Sequence, residues 1–197
     1  MGRPAALSVS PPVGSRAGRL LDAFPAGGDP PDEFLRNVRA DGRVRVRGRR
    51  VGMDITWLND RIAVGGGIWN ADNMAAVSRA GITHIIDMQI EFDDTPLAEP
   101  FGIAVCWNPV DDDFEPKPPE VFRRGVEFAL AALRKDGAKL YIHCAAGVHR
   151  APMMALALLG VMGWTVKDGM ESIERLRPVA DFADVYVQSV ERFLVGR

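Results

Sequence analysis

From residue 53 onward, apolar and polar positions follow two rhythms, and each predicts an element. Residues 55–57 and 61–64 are short β-rich runs that close on Gly65-Gly66-Gly67. Residues 71–80 read as a helix stopped at Gly81, and 82–87 as a buried strand. A second buried strand is expected at 103–110. Residues 119–135 carry Phe122, Val126, Leu130 and Leu133 on one helical face, with Gly137 beyond the end. A short strand at 139–142 leads to a strongly apolar helix at 150–162, whose first turn tolerates Pro152. Thr165 with Asp168 resembles a capping box, although Glu or Gln is the usual partner. The helix it opens turns Val166, Met170, Ile173 and Leu176 inward and stops near Arg177-Pro178. A last amphipathic helix is expected at 181–194. Strands alternating with helices predict an α/β fold, a compact layered domain with a central, mostly parallel sheet flanked by helices.

The rhythm is missing before residue 53. Residues 1–40 are rich in Pro, Gly and Arg and read as a flexible leader, with short helical turns possible at 20–24 and 34–38. Residues 43–50 alternate like an edge strand, or serve as a basic tether. The domain reading is therefore a basic leader at 1–52 and a folded domain at 53–197, with Met53 a candidate natural start. Ten arginines against five acids give the leader +5, and since the whole chain is −2 the remainder carries −7. A mildly acidic body does not suit nucleic-acid binding. Two cysteines, Cys106 and Cys144, exclude a disulfide framework and favour a reducing compartment. There is no apolar stretch of signal-peptide length at the start, and the longest apolar run, 151–164, is too short to span a bilayer. The expectation is a cytoplasmic protein without a membrane partner, most simply a monomer.

Candidate chemistry concentrates in His143-Cys144-Ala145-Ala146-Gly147-Val148-His149-Arg150. The flanking patterns make it a tight loop from strand to helix. Backbone N–H groups of such a loop and the helix N-terminus converge into an anion site. A thiol placed there is expected to ionise near neutral pH. Arg150 adds a planar fork suited to two phosphate oxygens. A thiolate in a phosphate cradle implies a nucleophile that attacks phosphorus. The leaving group then needs a proton from a carboxylic acid, which later serves as base toward water. Pro109-Val110-Asp111-Asp112-Asp113-Phe114-Glu115-Pro116 follows a predicted core strand, where α/β sites collect, although three aspartates also suit an ordinary acidic turn. Gly65-Gly66-Gly67 lacks nucleotide-loop spacing and reads as a turn.

His143-Cys144-x-x-Gly147-x-x-Arg150 resembles the signature loop of the cysteine-based dual-specificity and tyrosine phosphatases. In that family the acid aspartate commonly lies about thirty residues before the nucleophile, and Asp112 precedes Cys144 by 32. Pro-Val-Asp-Asp-x-x-x-Pro also resembles the acid loop of the phosphatases of regenerating liver, whose second aspartate is the acid, which ranks Asp112 above Asp111 and Asp113. The resemblance covers about residues 55–193 and implies a compact dual-specificity domain. It implies that Cys144 is the nucleophile, that Arg150 binds phosphate, and that the main-chain N–H groups of Ala145, Ala146, Gly147, Val148, His149 and Arg150 hold the equatorial oxygens. It implies further that His143 orders the loop and that Gly147 permits a turn that a side chain would block.

Two departures stand out. Ala151 occupies the place where most members carry Ser or Thr, whose hydroxyl stabilises the departing thiolate. Gly-x-x-Arg-Ala-Pro resembles the regenerating-liver and plant starch phosphatases, and slow dephosphorylation of Cys144 is expected. His149 replaces a small residue; it either adds positive charge at the pocket rim or faces solvent. Some members protect the nucleophile through a cysteine on the strand after the first helix, but 82–88 holds none. Cys106 reads as a small buried hydrophobe. Asp181 and Gln188 receive no role, and Arg177-Pro178 reads as structural.

The expected function is a dual-specificity protein phosphatase, a hydrolase of phosphotyrosine, phosphoserine and phosphothreonine. Phosphoglucan or phosphoinositide substrates are the second choice. A non-catalytic phosphate-binding module would be expected to lack the cysteine, the arginine or the acid, and all three are present. A sulfur-transfer or arsenate-reducing role would call for a resolving cysteine near the loop. No cofactor is implied. His84, His143 and His149 show no coherent ligand spacing with carboxylates, so no metal is expected.

Overall fold

The computed structural model describes residues 53–196. The leader at 1–52, with its expected helical turns and basic run, lies outside the described residues. The chain order is β1 (Ile55–Trp57), β2 (Ile62–Gly65), α1 (Ala71–Arg79), β3 (His84–Gln89), α2 (Thr95–Ala98), a 3₁₀ turn (Glu99–Phe101), β4 (Ala104–Val110), α3 (Pro119–Leu133), β5 (Leu140–His143), α4 (Arg150–Val161), α5 (Val166–Leu176) and α6 (Asp184–Val195). One sheet runs β1-β2-β5-β3-β4; β1 is antiparallel and every other neighbouring pair is parallel. The α/β reading holds, with two apolar layers around the sheet.

Strand composition explains the layers. A strand in the middle of a parallel sheet is covered on both faces and reads as a continuous apolar run. Leu140-Tyr141-Ile142-His143 is buried at every position, as are all six residues of β3. One face packs Ile86, Ile142 and Val64 against Phe122, Ala155 and Tyr186 of the helices; the other packs Ile85 and Tyr141 against Met74 and Val77 of α1. Helix α4 buries its first ten residues, Arg150 included, so its run of small and apolar side chains is core on nearly every side.

Most expected elements stand within two or three residues of their expected bounds. Asn70 and Thr165 cap α1 and α5, their side chains accepting from the amides of Asn73 and Asp168. Three details differ. Helix α2 was not expected: four residues around Pro96 are too short for a periodic signal. On α3, Ala129 takes the buried position and Leu130 is only half-buried. Leu176 is 40% exposed rather than inward, because the chain leaves helical geometry at Arg177 (φ −130°) to bury that arginine instead.

Candidate functional site

The central place of β5 fixes where the signature loop emerges, between β2 and β3. Cys144 follows the strand directly and is 1% exposed. The amide of Gly147 donates to its Sγ at 3.2 Å, and α4 starts at Arg150. Thiol, inward amide and helix start therefore share one turn, as an anion cradle requires.

Three partners hold the loop's shape. Gly147 adopts φ +66°, and a Cβ there would lie 2.5 Å from the backbone of Gly65 and 2.4 Å from Arg177 Nη2, so no side chain fits. The glycine run after β2 lets backbones approach closely: Gly66 donates to Asp54 O and Gly67 to Ala145 O, each at 3.0 Å. Arg177, 2% exposed, reaches the loop from beyond α5. Its Nε donates to Gly147 O at 2.7 Å and its Nη2 to Ala146 O at 3.3 Å. Nη1 bonds Asp54 Oδ1 at 2.9 Å and Thr56 Oγ1 at 3.1 Å, and Nη2 bonds Asp54 Oδ2 at 2.5 Å. The structural reading of Arg177 gains a definite content: it ties the loop to β1.

Arg150 has five N–H donors. Its Nη1 and Nη2 form a bidentate pair with Glu91 at 2.9 and 2.8 Å, and Nη1 also donates to Val110 O at 3.0 Å. Nε makes no hydrogen bond and lies 3.7 Å from Asp112 Oδ2. The edge formed by Nε and Nη2 thus keeps donors for a phosphate while Glu91 orients the other edge. Hydrogen bonding to Arg150 holds the Glu91 carboxyl below the ordinary carboxylate range. Glu91 sits in a polar stretch without periodicity and carried no signal in the sequence.

The acid loop separates its three aspartates. Asp111 Oδ1 accepts from the Asp112 amide at 2.8 Å, and Asp113 pairs with Lys117. Only Asp112 turns toward the signature loop. Its Oδ2 lies 3.1 Å from His149 Nδ1, and its Oδ1 accepts from the Tyr186 hydroxyl at 3.0 Å. Tyr186 also accepts from the Phe114 amide at 3.0 Å, and Phe114 stacks on its ring. Burial first, aided by the Asp112 carboxylate, pushes Tyr186 up to about 12, so it is a hydroxyl donor near neutral pH. His149 is not solvent-facing: its side chain is 19% exposed, and Nε2 lies 3.4 Å from Asp181 Oδ2. Asp181, given no role by the sequence, is therefore part of the site's surroundings.

His143 lies fully buried one residue before Cys144, with Nε2 at 2.8 Å from Asp94 Oδ2 and 3.8 Å from Asp87 Oδ1. The short contact is not aligned as a hydrogen bond, and neither partner makes one there. Asp87 accepts the amides of Gln89 and Asp94, yet burial raises its carboxyl to about 6, against the pull of His143. The donor atoms of these three lie within 4.8 Å of one another, so they could hold a metal ion. The fold gathers carboxylates around a histidine that sequence spacing kept far apart. Cys106 faces a groove lined by Glu120, Arg123, Arg124, Glu127 and Phe128, and burial pushes its thiol up. Among the described residues no helix is long and apolar enough to cross a membrane.

Protein phosphatase Slingshot homolog 3 of Rattus norvegicus is 28% identical over 116 residues, 58% of this chain and 17% of that protein. Dual specificity protein phosphatase 5 of Rattus norvegicus is 31% identical over 74 residues, 37% of this chain and 19% of that protein. The chain spans less than a fifth of the length of these curated relatives. Among solved structures, DUSP15 matches with a TM-score of 0.62 and 26% identity, covering 71% of this chain and 86% of its own. PTPMT1 in complex with PI(5)P matches with a TM-score of 0.65 over 73% of this chain and 96% of its own; at 18% identity this is a likeness of fold. Residues 68–191 match the family described as dual specificity phosphatase, catalytic domain, and it is to this family that the chain belongs.

Proposed function

We propose that the chain hydrolyses phosphomonoesters through a cysteinyl-phosphate, as a dual-specificity protein phosphatase. The observation that carries this reading is the convergence of Asp112 on the signature loop: its carboxylate reaches His149 and the unpaired Nε of Arg150, while its neighbours turn elsewhere. Cys144 attacks phosphorus as the thiolate, and the Nε–Nη2 edge of Arg150 with the loop amides takes the phosphoryl oxygens. Asp112 gives its proton to the leaving oxygen, then takes one from the water that frees phosphate. His143 and Arg177 hold the loop rather than touch substrate.

A second reading is a non-protein phosphoester substrate. It is favoured by Ala151-Pro152 after the arginine, which resembles the starch phosphatases. Turnover of p-nitrophenyl phosphate by wild type, Cys144→Ser and Asp112→Ala, with orthovanadate as inhibitor, tests the mechanism. Loss in Cys144→Ser and a sharp fall in Asp112→Ala are expected. Binding of vanadate by a wild type that never turns over would refute the enzyme reading. A panel of phosphopeptides, phosphoglucan and phosphoinositide then separates the substrates.

A further inference from the structure

We propose that His149 and Asp181 hold, together with Asp112, the proton that the leaving group receives, making His149 the positioning and proton-sharing partner of the acid. This rests on the phosphatase reading above.

His149 has a carboxylate at each ring nitrogen: Asp112 at 3.1 Å from Nδ1 and Asp181 at 3.4 Å from Nε2. A neutral imidazole has one donor and one acceptor nitrogen. Facing two carboxylates, its bare nitrogen would oppose a second set of lone pairs. One extra proton in the triad avoids this, whether it makes the ring an imidazolium or rests on one of the carboxylates. Of the two contacts only Asp112–His149 is aligned as a hydrogen bond, while Asp181 stands beside Nε2 at ion-pair distance, so the shared proton lies along the Asp112–His149 contact. The geometry is held on every side. The Asp181 amide donates to Val148 O at 2.9 Å, fixing that segment against the loop. The Phe114 ring meets His149 edge-on at 5.0 Å. Tyr186 occupies the other oxygen of Asp112, which leaves Oδ2 to His149.

The charged and titratable groups around this contact are Asp112 and Asp113 on the acid loop, Asp181 before α6, Tyr186 on α6, and Arg150 on α4 with its partner Glu91. Tyr186 stays protonated, Glu91 is committed to Arg150, and Asp113 to Lys117. Asp112 Oδ2 stands between Arg150 Nε at 3.7 Å and His149 Nδ1 at 3.1 Å. His149 Nδ1 is the ring nitrogen within reach to share the proton of Asp112. In the first step the proton passes from Asp112 to the leaving oxygen as the Sγ–P bond forms and the P–O bond breaks; if it rested on Nδ1, it returns to Asp112 first. The triad is then one proton short, with an unprotonated Nδ1 against a carboxylate. In the second step water attacks phosphorus, its proton goes to Asp112 and is shared again with Nδ1, and the Sγ–P pair returns to sulfur. Protons balance over the cycle.

The test compares pH profiles of kcat/KM for wild type, His149→Gln, Asp181→Asn and Asp112→Asn, on p-nitrophenyl phosphate and on phenyl phosphate. Glutamine can still donate to Asp112 but cannot keep a titrating proton. The alkaline limb of His149→Gln is expected to move down by about one pH unit or more, since a carboxylic acid loses its proton earlier than an imidazolium. Phenyl phosphate, whose leaving group needs the proton, is expected to lose about tenfold in kcat/KM at pH 7, and p-nitrophenyl phosphate much less. Asp181→Asn, at an exposed position, shifts the limb the same way by less, and serves if His149→Gln does not fold. A wild-type alkaline limb in whichever variants fold overturns the inference, as does a faster His149→Gln. Either result leaves the Asp112→Asn loss in support of the phosphatase reading. A wild type inactive on both esters would instead remove that reading itself.

Discussion

Replacing Arg177 by alanine removes the tie between the signature loop and β1, and the structure sets the scale. The guanidinium makes five hydrogen bonds, two of them to loop carbonyls, Gly147 O and Ala146 O. Leaving a buried acceptor without a partner costs about 1–3 kcal/mol. The Asp54 side chain is half-exposed, so water replaces its lost partner and its share is discounted. Ala146 is exposed, so water also takes its carbonyl; the stranded Gly147 carbonyl and the emptied volume therefore cost about 2–4 kcal/mol. That is a large part of the 5–15 kcal/mol typical of a domain. In urea, the midpoint of Arg177→Ala should fall accordingly with the slope unchanged, and Arg177→Lys should recover little, since one ammonium cannot reach both the carbonyls and Asp54. Asp54→Ala should cost less than Arg177→Ala, because the loop bonds remain. A loss below about 1 kcal/mol in Arg177→Ala, or an equal loss in Asp54→Ala, would show that the carbonyls do not depend on Arg177.

Ala151→Ser should shrink the burst of p-nitrophenol and raise the steady state, if the missing hydroxyl slows release of phosphate from Cys144; stopped-flow turnover reads both. Glu91→Ala should lower kcat/KM roughly three- to tenfold by freeing the Arg150 fork, a range set by the modest worth of a partly exposed charge pair, with kcat falling more than KM rises. The Asp87 carboxyl, raised by burial from 3.8 to about 6, binds its proton more tightly folded than unfolded. Its contribution is therefore complete below about pH 4 and is lost as pH rises toward 6, up to about 3 kcal/mol. Asp87→Asn should flatten that part of a stability–pH curve measured in urea; an unchanged slope would refute the burial argument. Cys106→Ser should leave the rate of peroxide inactivation unchanged, because that thiol faces its own groove on α3.

What could be read in the sequence was local. The octet at 143–150 shows its chemistry because cysteine, glycine and arginine act within one turn. Asp112 was separable from Asp111 and Asp113 only through resemblance; the structure separates them physically, through Tyr186 and His149. Glu91, Tyr186, Asp181 and the Asp54–Arg177 tie were invisible because each acts across the fold, 59 residues for Glu91–Arg150 and 123 for Asp54–Arg177. The same reason hid Asp87 and Asp94 around His143. Helix α2 and the outward Leu176 escaped because short elements and helix ends carry too few repeats to impose a phase.

The Asp54–Arg177 tie also has a consequence in time. Asp54 lies just before β1 and Arg177 just beyond α5, so the loop between them cannot be fastened until the chain as far as Arg177 has been synthesised. Contacts so distant in sequence form late, after the loop entropy of the intervening chain has been overcome. A nascent chain that has just passed residue 150 carries the cysteine and the arginine, yet lacks Arg177, the shared anchor of Ala146 and Gly147. Reactivity toward phosphate should thus appear abruptly as the C-terminal quarter folds, and a pulse of vanadate on stalled ribosomes of increasing length would time it.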